Sequence, residues 1–409
     1  MRTNRQSIVD AGAILPLVTL LKEGGDRGKQ FSAAALARLS HGAIAPKAIA
    51  DAGAITPLIE LLAGSHGDDA QREGAHALFA LADYAPNRMA IAEAAAIGPL
   101  VMLLGERASH GPTSDHAEAA LVRLSIEQVN RVHIIEKLVN MLHGTEGTGA
   151  QEEAAAALAK LAQDSLDNRV SIVDAGGITP LLSLLSDKHS AKAKENSLLA
   201  ITHLASKSAR IQSALTKEGA PAMLAHVLVS VSASANAKEL VTVAQLCSLV
   251  ALAISHLTEK NAENQAKMAE AGAIPPLVAF LNNNQTHPGM AANAAAAIAS
   301  LSMSHPENQA SVARLGAVAP LCALVREGVP EVKTQSASAL WSLSEGNMAN
   351  KATMYAHLVG SNYGPLRAPS RSLALSLSLS LALSLTHTST IRTLPRVWTV
   401  QSLEALNLL

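Results

Sequence analysis

Gly-Ala-Ile-Leu-Pro-Leu, residues 12–17, is the stretch that decides the fold, because similar hexapeptides recur along most of the sequence. Further copies begin at Gly53, Ala95, Gly176, Gly272 and Gly316, and looser copies span 133–138 and 219–224. Successive copies are spaced by about 42 residues, which is typical of stacked helical repeats. Each unit of such a stack is too small to bury its own apolar face and relies on its neighbours. The recurrence therefore predicts a solenoid and directs attention to surfaces rather than to one active site.

The composition indicates a core of small and aliphatic side chains. Apolar residues make up 49% of the 409 residues, yet the chain has only three Phe, three Tyr and two Trp. Alanine, leucine, isoleucine and valine must therefore fill the core, and these residues allow helices to pack closely.

Charge and cysteine content exclude several functional classes. The 32 basic residues nearly balance the 33 acidic ones, so no global field attracts nucleic acid or an anionic membrane. Cys247 and Cys322 are the only cysteines, too few for a disulfide framework or a cysteine-rich zinc site. Without a secretory signal or an apolar stretch long enough to span a bilayer, we expect an intracellular protein of the cytoplasm or nucleus.

One repeat can be interpreted residue by residue between Asn4 and His41. Asn4 is a good N-cap for a short first helix, because its side chain can accept from free backbone amides. Gly12 suits the positive-φ conformation that ends a helix. Pro16 is tolerated in the first turn of a second helix. Leu36 and the apolar residues around it then form a third, Ala-rich helix.

The same parts recur in the later units. The opening Asn and the polar residue after it return as Asn87-Arg88, Asn168-Arg169, Asn264-Gln265, Asn308-Gln309 and Asn350-Lys351. From about Asn4 to Lys351 the pattern resembles the armadillo repeat family, whose units combine this opening, the glycine turn and an Ala-Leu-rich third helix. HEAT-type repeats are also helical but lack the glycine turn. The resemblance implies an all-α fold, a right-handed α-solenoid (armadillo superhelix) of about eight three-helix repeats.

The spacing predicts a solenoid over residues 1–354 and a separate tail over 355–409. The repeats are expected near 4–44, 45–86, 87–129, 130–167, 168–209, 210–260, 264–307 and 308–349, with a ninth broken off. The fourth has no glycine turn, so its first helix is expected to be shortened or merged with the second. The sixth is enlarged, with Ser230–Ala235 as the expected extra loop.

Both ends depart from the repeat pattern. The first repeat begins without a preceding cap, so we expect either that the chain starts inside a longer protein or that it exposes a hydrophobic end. Leucine occupies every odd position from Leu373 to Leu385, mostly alternating with serine. We expect the tail to be disordered or to come from a misread coding sequence.

No motif indicates catalysis. The glycines around Gly28-Lys29 have the wrong spacing for a phosphate loop, and Gln30 replaces its Ser or Thr. The histidines are scattered without metal-ligand spacing. We therefore predict no enzyme activity, no cofactor and no metal.

The third helices hold the pattern that we assign to binding. In each third helix, the residue before the last Leu is expected to face away from the side that packs on neighbouring helices. The armadillo resemblance places this residue in a concave groove. In armadillo proteins an Asn at this position often binds an extended peptide. The groove candidates at this position are Arg38, Arg123, Lys160, His203, His256, Ser300 and Ser342, with Ala80 in the second repeat. Five of these eight positions are basic and none is acidic, which favours an acidic or phosphorylated segment. A solvated helix face is the ordinary alternative.

The leading functional hypothesis is a non-enzymatic scaffold or adaptor that binds extended segments of protein partners. An alternative is the substrate-binding fragment of a U-box-type ubiquitin ligase. A nuclear-import receptor of the importin-alpha class is disfavoured, because the Trp of its Trp-Asn pair is replaced by Ala34, Ala119 and Ala156. A basic groove would also repel a basic import signal.

Overall fold

The structure, a computed structural model, describes residues 2–40, 45–105, 112–144, 148–233, 240–283 and 287–359. The regular structure in these ranges is helical, without a strand. The chain divides into two compact units, Met1–Val227 and Leu228–Leu409.

The helices of the first unit follow the expected order. They are α1 (Arg2–Asp10), α2 (Ile14–Glu23), α3 (Asp26–Leu39), α4 (Ala45–Asp51), α5 (Ile55–Glu60), α6 (Asp68–Leu81), α7 (Ala85–Glu93), α8 (Ile97–Gly105), α9 (Pro112–Leu124), α10 (Gln128–His143), α11 (Thr148–Asp164), α12 (Leu166–Asp174), α13 (Ile178–Ser183), α14 (Ala191–Ala205) and α15 (Ala209–Lys217). A 3₁₀ turn, Gly64–His66, precedes α6.

Helix α16 (Ala220–Ala233) contains the boundary between the units. The second unit continues with α17 (Leu240–Thr258), α18 (Ala262–Glu270), α19 (Ile274–Phe280), α20 (Pro288–Ser302), α21 (Pro306–Arg314), α22 (Val318–Glu327), α23 (Pro330–Ser344) and α24 (Met348–Val359). A 3₁₀ turn, Leu281–Asn283, follows α19.

The third helices pack on one another within each unit. In the first unit α3 packs on α6, α6 on α9, and α11 on α14; in the second, α17 packs on α20 and α20 on α23. Their buried residues are mainly alanine and leucine, as in α20, where Ala294, Ala297 and Leu301 are fully buried. The aliphatic, alanine-rich core expected from the composition is therefore confirmed.

The turn after the first helix has the expected left-handed backbone. Gly12, Gly53, Gly176, Gly272 and Gly316 have φ values between 76° and 84°. In the third repeat Ala95 takes this place and has φ of 65°, a conformation that a Cβ atom disfavours.

The fourth repeat confirms the expected merging of helices. Helix α10 runs without a break from Gln128 to His143 and replaces the first and second helices. No positive-φ glycine interrupts it, and Ile134, Leu138 and Leu142 lie buried along one side.

The sixth repeat differs from the expected loop at 230–235. Ser230–Ala233 belong to the last turn of α16, so the loop prediction is wrong for these four residues; Ser234 and Ala235 lie outside the described residues. Alanine, valine and serine carry little penalty in a helix that is already formed, which explains the extension.

The opening asparagines are not the N-caps predicted from Asn4. Asn4 lies inside α1, and the later asparagines lie in the first turn of their helices, three residues after the cap. Ser165, for example, accepts from the amide of Asn168.

These asparagines instead join neighbouring segments from buried positions. Nδ2 of Asn308 donates to the carbonyl of Leu301 at 2.8 Å and to that of Gln265 at 3.2 Å. Nδ2 of Asn350 makes the same pair of bonds to Leu343 and Gln309, at 2.8 and 3.3 Å. Each asparagine, at the start of one repeat, thus bonds to both the third helix and the first helix of the preceding repeat.

In the fifth and eighth repeats the polar residue after the asparagine also bonds to the end of the third helix of its own repeat. Gln309 Nε2 donates to the carbonyls of Ser342 at 2.9 Å and Glu345 at 3.0 Å, and Arg169 reaches His203 and Ser206 at 3.2 and 3.0 Å. These bonds satisfy carbonyls at the C-terminal ends of third helices, which have no helical partner.

Helix α24 is the first helix of a ninth repeat. It runs to Val359, five residues beyond the end of the solenoid predicted at 354. The rest of the predicted tail, 360–409, lies outside the described residues. Among the described helices, no single one is long and apolar enough to cross a bilayer. The α7 and α8 segments meet that criterion only as a pair, and a bend of 84° separates them.

Replacing Asn308 by Ala should destabilise the second unit by about 1–3 kcal/mol, because two buried carbonyls lose their donor. Urea unfolding followed by circular dichroism measures the change. Asn140→Ala, at an exposed position of α10, is the control and should stay within about 0.5 kcal/mol of the original chain. Equal effects of the two changes would contradict a structural role for the buried amide.

Replacing Ala95 by Gly should stabilise the third repeat by up to about 1 kcal/mol, because glycine relieves the left-handed strain. The matched control is Ala94→Gly, whose φ is −74° and where glycine should destabilise. Thermal unfolding of both variants gives the comparison, and a loss of stability in Ala95→Gly would count against strain at this turn.

Candidate partner-binding face

The groove candidates of the first unit lie near the C-terminal ends of successive third helices. They are Arg38 on α3, Arg123 on α9, Lys160 on α11 and His203 on α14. Arg38 and Lys160 are exposed, whereas Arg123 and His203 are half-buried. Ala80, at the same position of α6, is fully buried and so does not face away from the side that packs on neighbouring helices.

Lys160 and Arg38, the two exposed cations of the row, differ in their contacts. The Lys160 side chain is exposed, and within the described part of the chain its ammonium has no ion-pair partner. Arg38 is also exposed, and its Nη1 donates to the carbonyl of Ala34 one turn earlier at 3.0 Å.

Arg123 contacts residues of the preceding repeat. Its guanidinium forms an ion pair with Asp83 and lies over the Phe79 ring, 3.8 Å from the centroid. Nη1 also donates to the carbonyl of Phe79 at 3.3 Å. Its charge is therefore balanced within the protein, and its stacking holds α6 and α9 together.

A cluster of rings that the sequence patterns did not predict lies beside Arg123. His76 on α6 and His116 on α9 are stacked with centroids 4.5 Å apart and an angle of 15°. Glu73 Oε2 lies 3.8 Å from Nδ1 of His76. Burial lowers the pKa of His116 below 6.5, and the charges of Glu73 and Asp115 only partly oppose this effect. The one signal in the sequence is that His76 and His116 are separated by about one repeat length.

Acidic side chains occupy the opposite ends of the same helices. Asp115 is exposed in the first turn of α9, Glu152 on α11 accepts from the hydroxyl of Ser190, and Glu195 on α14 pairs with Lys192 at 3.3 Å. Acidic residues near N-termini and basic residues near C-termini complement the helix dipoles. Lys192 lies at the same end of α14 as Glu195, so charges of both signs are present there.

The second-unit candidates differ in accessibility. His256 on α17 and Ser300 on α20 are half-buried, and the hydroxyls of Ser300 and Ser255 lie 3.3 Å apart. Ser342 on α23 is fully buried, so the expectation that it faces away from the side that packs on neighbouring helices is wrong. Its carbonyl accepts from Gln309, and its short side chain does not reach the surface.

Two observations on the described residues concern metal binding and thiol reactivity. They contain no group of three or more His, Cys, Asp or Glu arranged to hold a metal ion. Burial raises the pKa of the Cys247 thiol to about 12 and that of Cys322 to about 11. Both thiols therefore stay protonated and unreactive at neutral pH.

Rows of packed third helices with polar bridges between repeats define an α-solenoid protein. Comparison with known families identifies the kind of repeat: the Armadillo/beta-catenin-like repeat model matches residues 165–206, 261–303 and 305–345. The first of these segments contains α12–α14, and the other two contain α18–α20 and α21–α23. The chain thus carries armadillo repeats in these three segments.

Solved structures share this fold. The crystal structure of an engineered protein superposes with a TM-score of 0.64 and 22% identity, over 97% of each chain. A designed armadillo repeat protein superposes with a TM-score of 0.51 and 22% identity, over 67% of this chain and 100% of its own. No curated protein matches the sequence. The predicted all-α armadillo fold is therefore confirmed.

The stability of the first unit should fall as the pH drops below 6.5. His116 has a lowered pKa in the folded state, so the unfolded chain binds its proton more readily and is favoured as the pH falls. Thermal unfolding between about pH 8 and pH 5.5 should show a smaller decrease for His116→Phe than for the original chain. His133→Gln, at an exposed position, is the control and should leave the decrease unchanged.

Proposed function

We propose that the chain is a non-enzymatic scaffold or adaptor that binds an extended, acidic or phosphorylated segment of a partner protein. The observation that carries the proposal is the exposed ammonium of Lys160, which lies between Arg123 and His203 on successive third helices of one unit. An extended segment that crosses these helices would meet a basic side chain at regular intervals.

The fold supports this kind of function. Armadillo repeats are generally non-enzymatic scaffolds for protein partners, and fold alone does not name a ligand. Lys160 can form charge-assisted hydrogen bonds with a carboxylate or phosphate without first giving up an internal partner. Arg123 contributes less, because Asp83 already balances its charge. Such partners would be met inside the cell, in the cytoplasm or nucleus.

Charge reversal at Lys160 tests the proposal. The full chain is titrated with a labelled peptide that carries several Glu and phosphoserine residues, and fluorescence anisotropy measures the affinity. Lys160→Glu should weaken binding by about 5- to 10-fold, because an attraction becomes a repulsion at the centre of the face. The weakening should diminish at high salt.

Lys217→Glu is the matched control, since Lys217 is exposed at the end of α15, a first helix rather than a third helix. It makes the same change in net charge and should leave the affinity nearly unaltered. Equal weakening in both variants would show only a general charge effect and would refute the assignment of the site.

A further inference from the structure

Three exposed apolar residues lie at the start of α10, in the interior of the sequence. Val129 is 71% exposed, Ile126 60% and Val132 42%. Val129 and Val132 are three residues apart on α10 and so share one side of the helix, and Ile126 precedes the helix by two residues. We call these three residues the α10 patch. Exposed apolar side chains that cluster in this way mark interaction sites, whereas isolated ones are common on any surface.

The buried asparagines allow the same positions to be compared between repeats. Nδ2 of Asn130 donates to a backbone carbonyl of α7 at 3.1 Å, as Nδ2 of Asn308 does to a backbone carbonyl of α18 at 3.2 Å. Asn130 therefore corresponds to Asn308 and to the other opening asparagines. Val129 lies one residue before this asparagine, and Ile126 lies four residues before it.

Polar residues occupy these positions in several other repeats. The residues that take the place of Val129 include three acids in the first turn of a helix, Asp167, Glu263 and Glu307. A carboxylate there is stabilised by the positive end of the helix dipole. The residues that take the place of Ile126 include Asp83, Lys260 and Ser304. Ile126 and Val129 thus neither fill the core nor complement the helix dipole, which indicates another role for them.

The unpaired charge beside the α10 patch is acidic. Glu136 lies one turn after Val132 on the same side of α10 and is exposed. Glu93, at the corresponding position of α7, is exposed as well. Within the described part of the chain neither carboxylate has an ion-pair partner.

The cations close to the α10 patch are less available. Nε of Arg88 lies 2.9 Å from Oε1 of Glu127, and the side chain of Arg131 is only 13% exposed. Lys137, the residue after Glu136, is half-buried. Helix α10 therefore presents no exposed Lys or Arg. A partner that covers the patch gains from a basic group near Glu136, whereas an acidic group there would be repelled.

We propose that the α10 patch binds an amphipathic helix of a partner protein. Apolar side chains of that helix would cover Ile126, Val129 and Val132, and a Lys or Arg one turn further along would pair with Glu136. Amphipathic helices present anchors at i, i+3, i+4 and i+7, and Val129, Val132 and Glu136 follow the same spacing along α10. Because α10 is not a third helix, this surface lies on a different helix from the groove candidates, and the scaffold would hold a second partner there.

A helix fits this surface better than an extended segment or a second copy of the chain. The backbone amides and carbonyls along α10 are bonded within the helix, so they offer nothing to the backbone of an extended segment. A bound helix satisfies its own backbone groups. A second copy would bring another Glu136 and no exposed cation on its α10. Charge complementarity therefore favours a basic, apolar helix from another protein.

Fluorescence anisotropy of a labelled peptide tests the proposal. The probe is a helical peptide of about five turns, with leucines along one side and lysines on both borders, and it is titrated with the full chain. Val129→Glu/Val132→Glu should weaken binding by about tenfold or more, because it places charges within an apolar contact. Glu136→Lys should weaken binding by about fivefold, and this effect should diminish at high salt.

The chain offers a matched control for each change. Leu315→Glu/Val329→Glu alters two exposed apolar residues of the second unit. Glu270→Lys alters the acid that lies six residues after the asparagine on α18, as Glu136 does on α10. Both controls should leave the affinity within about twofold of that of the original chain. Lys160→Glu should do the same, so that failure of this site is distinguished from failure of the third-helix site.

A charge exchange gives a result that misfolding cannot produce. A second peptide carries glutamates in place of the lysines and should bind Glu136→Lys more tightly than the original chain. Absence of binding by the lysine peptide, or equal weakening by a change and its control, would overturn the proposal. Sedimentation velocity that shows a dimer of the original chain and a monomer of Val129→Glu/Val132→Glu would also overturn it, because the occupant would then be a second copy.

Discussion

A buried asparagine amide near the start of a repeat is the interaction on which the described stack depends. In the second unit Nδ2 of Asn308 holds the end of α20 and the backbone of α18 at once, and Asn350 does the same one repeat later. Asparagine suits this position because its short side chain carries two donors in a fixed plane. The helices of adjacent repeats are thereby fixed in register, which also fixes the spacing of the side chains that the third helices present.

Much of the fold could be predicted because the repeat positions encode backbone geometry. Glycine at the turn permits a positive φ, and its absence from the fourth repeat correctly indicated the merging of two helices into α10. The helical end of α16 was not predicted, because the serines around Ser230 are typical of turns, while the alanine and valine beside them are compatible with a helix. An N-cap role was expected for asparagine because its side chain carries both an oxygen that accepts and an amide that donates. The residue type does not show which of the two groups is used.

The exposure of the candidate positions was predictable only in part, and their contacts were not predictable. Counting back from the last leucine of each third helix locates Lys160 on an exposed position. The ion pair of Arg123 with Asp83 and the stacking of His76 on His116 join residues about one repeat apart. Such contacts depend on side-chain directions in two different repeats. Ser342 is fully buried whereas Ser300, at the same position of α20, is half-buried, so residue type alone does not decide the exposure of this position.

The stacking of the repeats and the candidate partner-binding positions depend on different physical forces. Burial of apolar area contributes in proportion to its extent, and Ile91 and Ile172, at corresponding positions of two repeats, are both fully buried. The candidate positions instead carry charges in water, where a single exposed ion pair contributes little and several must act together. Burial between repeats therefore stabilises the fold, whereas an exposed cation such as Lys160 is left to act on a partner.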